Sequence, residues 1–226
     1  MKIYITGDTH IPIDISKLNT THFPEQKDMT KNDFVIIAGD FGGIWNRSDE
    51  ETYWIKWLNE KSFTTLFVDG NHENFDLLNS YKEGQFYGGK VHRIAATVYH
   101  LMRGQVFDFN GYKFFTMGGG ESIDRMYRQQ GKSWWPEEIP SEDEFNEAIS
   151  NLDKNHWVVD YVVTHTASFL KMNEMGYIKE NNQLTSFLNL IEGKLNFRHW
   201  YFGHFHRDQR LDEQYTALYN QIVQII

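Results

Sequence analysis

Cysteine is absent from the 226-residue chain, which excludes disulfides and any thiolate metal ligand. Any metal must therefore be held by nitrogen and oxygen donors. No apolar run approaches the roughly 18 residues of a membrane span, and the amino terminus passes from one lysine straight into a short strand-like segment. A cytoplasmic protein with no membrane partner is expected. Basic residues are in deficit, with 22 Lys and Arg against 31 Asp and Glu and a formal net charge of −9. A broad counterion-releasing surface for extended duplex nucleic acid is therefore not expected, although local basic spots are compatible with that charge. Linkers, low-complexity tracts and solenoid repeats are missing too, so one domain over residues 1–226 is the simplest organisation.

Hydrophobic residues make up 40% of the chain and aromatics 16%, ample for a core and contrary to disorder. Runs of β-branched, aromatic and aliphatic residues at 3–6, 34–38, 65–68 and 200–202 each stop at a polar glycine turn. The turns are Gly7-Asp8-Thr9-His10, Gly39-Asp40-Phe41-Gly42, Gly70-Asn71-His72-Glu73 and Gly203-His204-Phe205-His206. A fifth run, 158–163, ends in Thr164-His165. Ligands of open sheets bind beyond strand ends, so five such turns point to one shared cleft.

Between these runs the pattern gives an irregular stretch over 11–32, where Pro12 and Pro24 interrupt regular structure. Ser48 or Asp49 caps a helix through Lys61 with Tyr53, Trp54, Trp57 and Leu58 on its apolar face, and a short helix spans 75–81. Strands are read at 98–101 and 105–109, and Asn110-Gly111 signals a type I′ hairpin. Ser141 and Glu144 form a capping box for a helix reaching about Lys154, with Phe145, Ala148, Ile149 and Leu152 inward. Thr185 is expected to cap a helix that Gly193 stops, and the β-rich stretch 212–226 to complete a sheet edge or a second sheet.

In this order the blocks Asp-x-His, Gly-Asp, Gly-Asn-His-Glu, His and Gly-His-x-His resemble the calcineurin-like metallophosphoesterase superfamily, with its small bacterial and phage-like members nearest in character. The resemblance spans Asp8 to His206. It implies a mixed α/β (α+β) fold in which two mixed β-sheets pack as a sandwich flanked by helices. It also implies a two-metal centre, with Asp8, His10, Asp40 and His206 on one ion and Asp40, Asn71, His165 and His204 on the other. Imidazole, carboxylate and amide donors together suit manganese first, with iron, zinc or nickel as alternatives, better than magnesium or calcium. A carboxylate bridging two cations roughly 3.5–4 Å apart would lower the pKa of a shared water, which becomes the nucleophile. The implied activity is metal-dependent hydrolysis of a phosphomonoester, a phosphodiester or a nucleotide.

In the superfamily the histidine at the His72 position sits by the leaving-group oxygen, which makes His72 the candidate proton donor or substrate-orienting residue. Many members follow the second block with an Asp and an Arg that orient this histidine and hold phosphate, but Phe41-Gly42-Gly43 stands here instead. A replacement phosphate clamp is sought in Gly118-Gly119-Gly120-Glu121-Ser122-Ile123-Asp124-Arg125, with Arg128 one turn on. His22, His92, His100, His156 and His199 have no spacing that ties them to the cluster and are expected to be structural or surface residues. Trp134-Trp135-Pro136 reads as a packed loop. Two other functions compete: a fold-conserving scaffold without hydrolysis, and a serine/threonine phosphatase-like activity. A decayed site should have lost a bridging or histidine ligand, and none is missing. Neither the substrate nor the oligomeric state is legible.

Overall fold

Every residue of β1 (Ile3–Thr6) and β2 (Phe34–Ala38) is buried in the computed structural model, which describes residues 1–177 and 181–226. An apolar run buried throughout needs cover on both faces, the condition that favours parallel pairing. In β2 the two-residue period divides the side chains: Phe34, Ile36 and Ala38 join one apolar cluster and Val35 and Ile37 another. The intervening stretch is irregular as expected, with single 3-10 turns at Ile15–Leu18 and Pro24–Asp28.

Helix α1 (Asp49–Asn59) is capped by Ser48, whose side chain accepts from the Glu51 amide. It ends before Lys61, whose amide donates to the Leu58 carbonyl at 3.1 Å, three residues back, in place of the helical bond to Trp57. After β3 (Thr64–Val68), the helix expected over 75–81 is only α2 (Phe75–Leu78), since Ser80 Oγ takes the Leu77 carbonyl at 2.7 Å. Three strands follow, β4 (Glu83–Phe86), β5 (Gly89–Ala95) and β6 (Val98–Leu101). The first two were not expected, because β4 is almost wholly exposed and β5 interleaves charged and apolar residues without clean alternation. Asn110 (φ 60) and Gly111 (φ 92) then join β7 (Gln105–Phe109) to β8 (Tyr112–Met117), the paired positive φ that a type I′ turn requires.

Helix α3 (Glu142–Lys154) carries both hydrogen bonds of its Ser141/Glu144 capping box. β9 (Tyr161–Thr164) starts later than the apolar run does, because Val158 instead bridges to Asn196. Helix α4 (Phe169–Glu174) was not expected, and α5 (Gln183–Lys194) is capped by Asn182 rather than Thr185 and runs through Gly193. Asn182 wins because it accepts from the Thr185 amide while Thr185 Oγ1 accepts from the Asn182 amide. The chain closes with β10 (His199–Phe202), β11 (Gln209–Arg210), β12 (Tyr215–Ala217) and β13 (Ile222–Gln224).

Two mixed sheets result, a seven-stranded one in the order β13-β1-β2-β3-β6-β5-β4 and a six-stranded one in the order β11-β12-β10-β9-β8-β7. The stretch 212–226 therefore supplies the edge strand β13 to the first sheet and β12, one strand in from the β11 edge, to the second. Between the sheets lies a cluster containing Ile5, Ile36, Leu66, Phe107, Phe114 and Val163. The outer face of the first sheet packs against α1 and α2 through Phe63, Phe67, Leu58 and Leu78, and that of the second against α3 and α5 through Phe115, Trp200, Leu152 and Leu188. β1, β2 and β3 run parallel in one sheet and β8, β9 and β10 in the other. All their carboxyl ends, with the glycine and histidine turns, thus open at one rim of the sandwich.

Candidate metal centre

The turn after β1 delivers Asp8 and His10, that after β2 Asp40, and that after β3 Asn71 and His72; β9 ends at His165 and β10 at His204 and His206. The ligand atoms of Asp8, His10, Asp40 and His206 lie within 4.8 Å of one another, as do those of Asp40, His165 and His204. Asp40 belongs to both groups. His10 Nε2 is 3.1 Å from Asp40 Oδ2, His206 Nε2 is 3.3 Å from Asp8 Oδ2, and His165 Nε2 is 3.3 Å from Asp40 Oδ1. Asn71 joins the second group, its Oδ1 3.1 Å from His165 Nε2, which is itself 3.1 Å from His204 Nδ1.

Such convergence requires unusual backbone. His10 (φ 35), Asp40 (φ 44), His204 (φ 70) and His206 (φ 47) all adopt positive φ, a conformation that non-glycine residues hold only under surrounding constraint. The glycines serve a different end: a Cβ on Gly70 would lie 2.1 Å from Asp40 Oδ1, and one on Gly203 2.1 Å from Asp8 Oδ1. Only glycine lets these turns pass so near the carboxylates.

Asp8 and Asp40 are buried, 0% and 1% exposed, yet among the described residues their ion-pair partners are all histidines. Uncompensated buried carboxylates are costly, and an inward-facing set of imidazoles and an amide beside them fits a bound cation. Burial would lower the His10 pKa, but Asp40 and Asp8, with help from Asp14, raise it to about 9. The same histidines act on Asp40. Burial opposes ionisation, and His165, His10 and His72 nevertheless hold its carboxyl well below the usual range. The carboxylates that favour a proton on His10 would equally favour a cation beside it.

Residues one step out fix the donors. Asp14 Oδ2 lies 2.9 Å from His10 Nδ1, and the Ala38 carbonyl 3.0 Å from His165 Nδ1, so in each ring the opposite nitrogen faces the centre. Asn71 Nδ2 donates to Ser122 Oγ at 3.2 Å, which turns Oδ1 inward, and Ser122 in turn donates to Glu138 from its amide and its hydroxyl. Lys17, buried with its pKa lowered to about 8 by desolvation, donates to the backbone carbonyls of Asp8 and Tyr219. Tyr219 stacks on the His206 ring at 4.8 Å. None of these supporting residues was read from the sequence. Asp14 alone had a signal, its i+4 spacing from His10.

His72 lies between two lobes of the cleft and lines both. Its amide donates to Asp40 Oδ1 at 2.9 Å, and burial lowers its pKa against the pull of Asp40. Instead of an aspartate and an arginine after Asp40, Phe41 stacks on Phe67 at 4.1 Å, and the Phe41 amide donates to Glu73 Oε1 at 2.7 Å. Glu73 is fully buried, and burial raises its carboxyl pKa well above the ordinary value. Arg128 lines one lobe, pairing with Asp124 at 2.7 Å, whereas Arg125 pairs with Glu121 at 2.9 Å and its side chain is 57% exposed. Gly118 and Gly120 pass close to Asp69 and His165, so this glycine segment is packed against the site turns.

His92 and His100 are buried and mutually bonded, Nδ1 to Nδ1 at 3.0 Å, and His100 Nε2 is 2.9 Å from Asp69 Oδ1. They brace the turn that carries Asn71 without facing the centre. Trp135 is 2% exposed and donates from Nε1 to Asp76, the packed loop that was expected.

A two-sheet sandwich with a histidine–carboxylate cluster at one rim defines a metallophosphoesterase-type architecture. The chain belongs to the calcineurin-like phosphoesterase family, whose model matches residues 1–208. An alignment over 133 residues that covers 53% of the chain and 23% of the relative shows 28% identity to lariat debranching enzyme A of Xenopus laevis. Among the described residues no helix is long and apolar enough to cross a membrane.

Proposed function

We propose that the protein is a cytoplasmic phosphoester hydrolase that works with two divalent cations, manganese foremost. Asp8, His10, Asp40 and His206 would hold one cation, and Asp40, Asn71, His165 and His204 the other. The observation that carries this reading is the sharing of Asp40 between two donor groups whose ligand atoms each fall within 4.8 Å. Such a pair of cations supplies Lewis acidity toward phosphoryl oxygens and a water nucleophile deprotonated near neutral pH.

The chain's own residues do the rest. Asp14 and the Ala38 carbonyl keep His10 and His165 in the tautomers that turn a lone pair inward. Asn71, oriented by Ser122, offers only its carbonyl oxygen. His72 donates one N–H to the leaving oxygen, as its place between the lobes allows. Arg128 faces the non-bridging phosphoryl oxygens, and Arg125, tied to Glu121, serves the rim. The substrate is a small phosphorylated molecule or nucleotide. Because the net charge is −9, attraction of long nucleic acid has no support outside the site itself.

Metal-stripped protein assayed on p-nitrophenyl phosphate and its bis-ester tests the reading. Turnover restored by manganese is expected, and the preferred ester separates monoesterase from diesterase chemistry. Folded protein that turns over neither ester with manganese, iron, zinc or nickel would contradict it.

A further inference from the structure

His10 and His72 also border a second cleft of about 360 Å³, on the side away from Arg128. One wall is apolar, made by Ile11, Pro12, Ile13 and Trp45, and among the described residues no lysine or arginine lines it. Ile13 is 76% exposed at the mouth, an apolar side chain left in water. Trp45 is held rigidly. Its ring meets Trp135 edge-on at 5.3 Å, and its carbonyl accepts from Asn74 Nδ2 at 2.7 Å. The Asn74 amide also donates to the Ile44 carbonyl at 3.1 Å, so the whole loop is tied to the turn that carries His72. Charge completes the description, because Glu50 lines the cleft and Glu51 lies below it, accepting from the Asn46 and Arg47 amides.

A preformed aromatic face, apolar flanks and acidic neighbours select for an uncharged or cationic planar group and against an anionic one. We propose that this cleft takes the leaving group of the phosphoester, that the leaving group is an uncharged planar aromatic such as an aryl alcohol or a nucleoside, and that Trp45 is its stacking face. The inference rests on the phosphoesterase reading above. In the step it serves, the attacking water's oxygen bonds to phosphorus, the bond from phosphorus to the leaving oxygen breaks, and one of that water's two protons ends on the leaving oxygen while the other stays with the released phosphate. Esters whose leaving group is itself a phosphate are disfavoured, since Glu50 lines the cleft and, among the described residues, no lysine or arginine does.

Calorimetric titration of manganese-loaded protein with phenylphosphonate and methylphosphonate isolates the subsite, because the two share one head group and neither is hydrolysed. Phenylphosphonate is expected to bind about tenfold more tightly, in the lower part of the range for base stacking on an aromatic side chain. Trp45→Ala should abolish that preference and leave methylphosphonate affinity unchanged. Trp45 also packs on Trp135, so a second variant avoids the packing: Glu50→Lys should improve 4-carboxyphenylphosphonate relative to phenylphosphonate by about threefold, the scale of one partly screened charge. Equal affinity for phenylphosphonate and methylphosphonate in the unaltered protein, or a phenyl preference that survives Trp45→Ala, would overturn the proposal. Failure of both phosphonates to bind would count against the phosphoesterase reading, and adenosine would then decide the subsite. Adenosine binding that Trp45→Ala removes supports it, and no adenosine binding refutes it.

Discussion

Asp69→Asn removes one charge from a largely buried network, and its cost follows from the partners left behind. Asp69 is 0% exposed and accepts from Arg103 Nη2 at 2.6 Å and Nε at 2.9 Å, with His100 Nε2 at 2.9 Å. Arg103 is itself 6% exposed, and its other carboxylate, Glu144, is 3.4 Å away with a side chain 37% exposed. Breaking a buried pair from one side costs about 3–5 kcal/mol, because the remaining charge is left uncompensated. The nearby Glu144 offsets part of that, so about 3 kcal/mol is expected, or roughly 6–12 °C in melting temperature for a chain of this size. Burial opposes ionisation of Asp69, yet Arg103 and His100 hold its pKa far below the ordinary value of 3.8. A depressed carboxylate stabilises above its unfolded pKa and loses that contribution only as pH falls through the folded one, so the loss in the variant should be the same at pH 7 and pH 5. Urea unfolding followed by the fluorescence of the seven tryptophans measures it. Asp69→Asn combined with Arg103→Met should be less destabilised than the sum of the two single changes by about 2 kcal/mol. A loss below about 1 kcal/mol for Asp69→Asn, or additivity in the double variant, would refute the network as described.

Asp14→Asn should weaken manganese binding about tenfold with little change in melting temperature, since it alters only what faces His10 Nδ1; unchanged affinity by calorimetry would remove that orienting role. Glu73→Gln should keep stability within about 1 kcal/mol, because its raised pKa favours the neutral form, whereas Glu73→Ala should lose about 2 kcal/mol by stranding the buried Phe41 amide; equal losses in denaturant titrations would count against this. His92, whose pKa is lowered to about 4 by burial and by His100, must stay neutral to fit. Stability should therefore fall as pH drops from 6.5 toward 4, by about 1–2 kcal/mol after allowing for water in the adjoining cavity, and His92→Gln should lose that part of the acid sensitivity. An identical acid loss in both proteins would contradict it.

The strands were legible where burial on both faces left an uninterrupted apolar run, as in Phe34–Ala38, and the helices where a cap preceded a periodic face, as at Ser141. β4 escaped notice because an exposed edge strand needs no apolar alternation, its pairing being supplied by β5. The start of α5 was misplaced at Thr185, because the reciprocal bonding that makes Asn182 the cap, with Thr185 as its partner, leaves no mark that the sequence shows. The proposed ligands stood out because each follows a strand end directly, and topology alone gathers them. Asp14, Lys17, Ser122 and Glu138 had no such mark. Ser122 and Glu138 act through contacts between loops distant in sequence, such as Asn71 with Ser122, which no local pattern encodes, while Asp14 carried only its i+4 spacing from His10. His92 and His100 were expected to be structural and are buried, but their link to Asp69 becomes visible only once β5 and β6 pair.

The sharing of Asp40 between two cations is tested most directly by manganese stoichiometry, read by calorimetry and by electron paramagnetic resonance on metal-stripped protein. Two manganese ions per chain with an exchange-coupled spectrum are expected for the unaltered protein, and loss of the coupled signal in Asp40→Asn while the fold is retained. A single manganese ion per chain, or a coupled pair that persists in Asp40→Asn, would contradict the shared bridge.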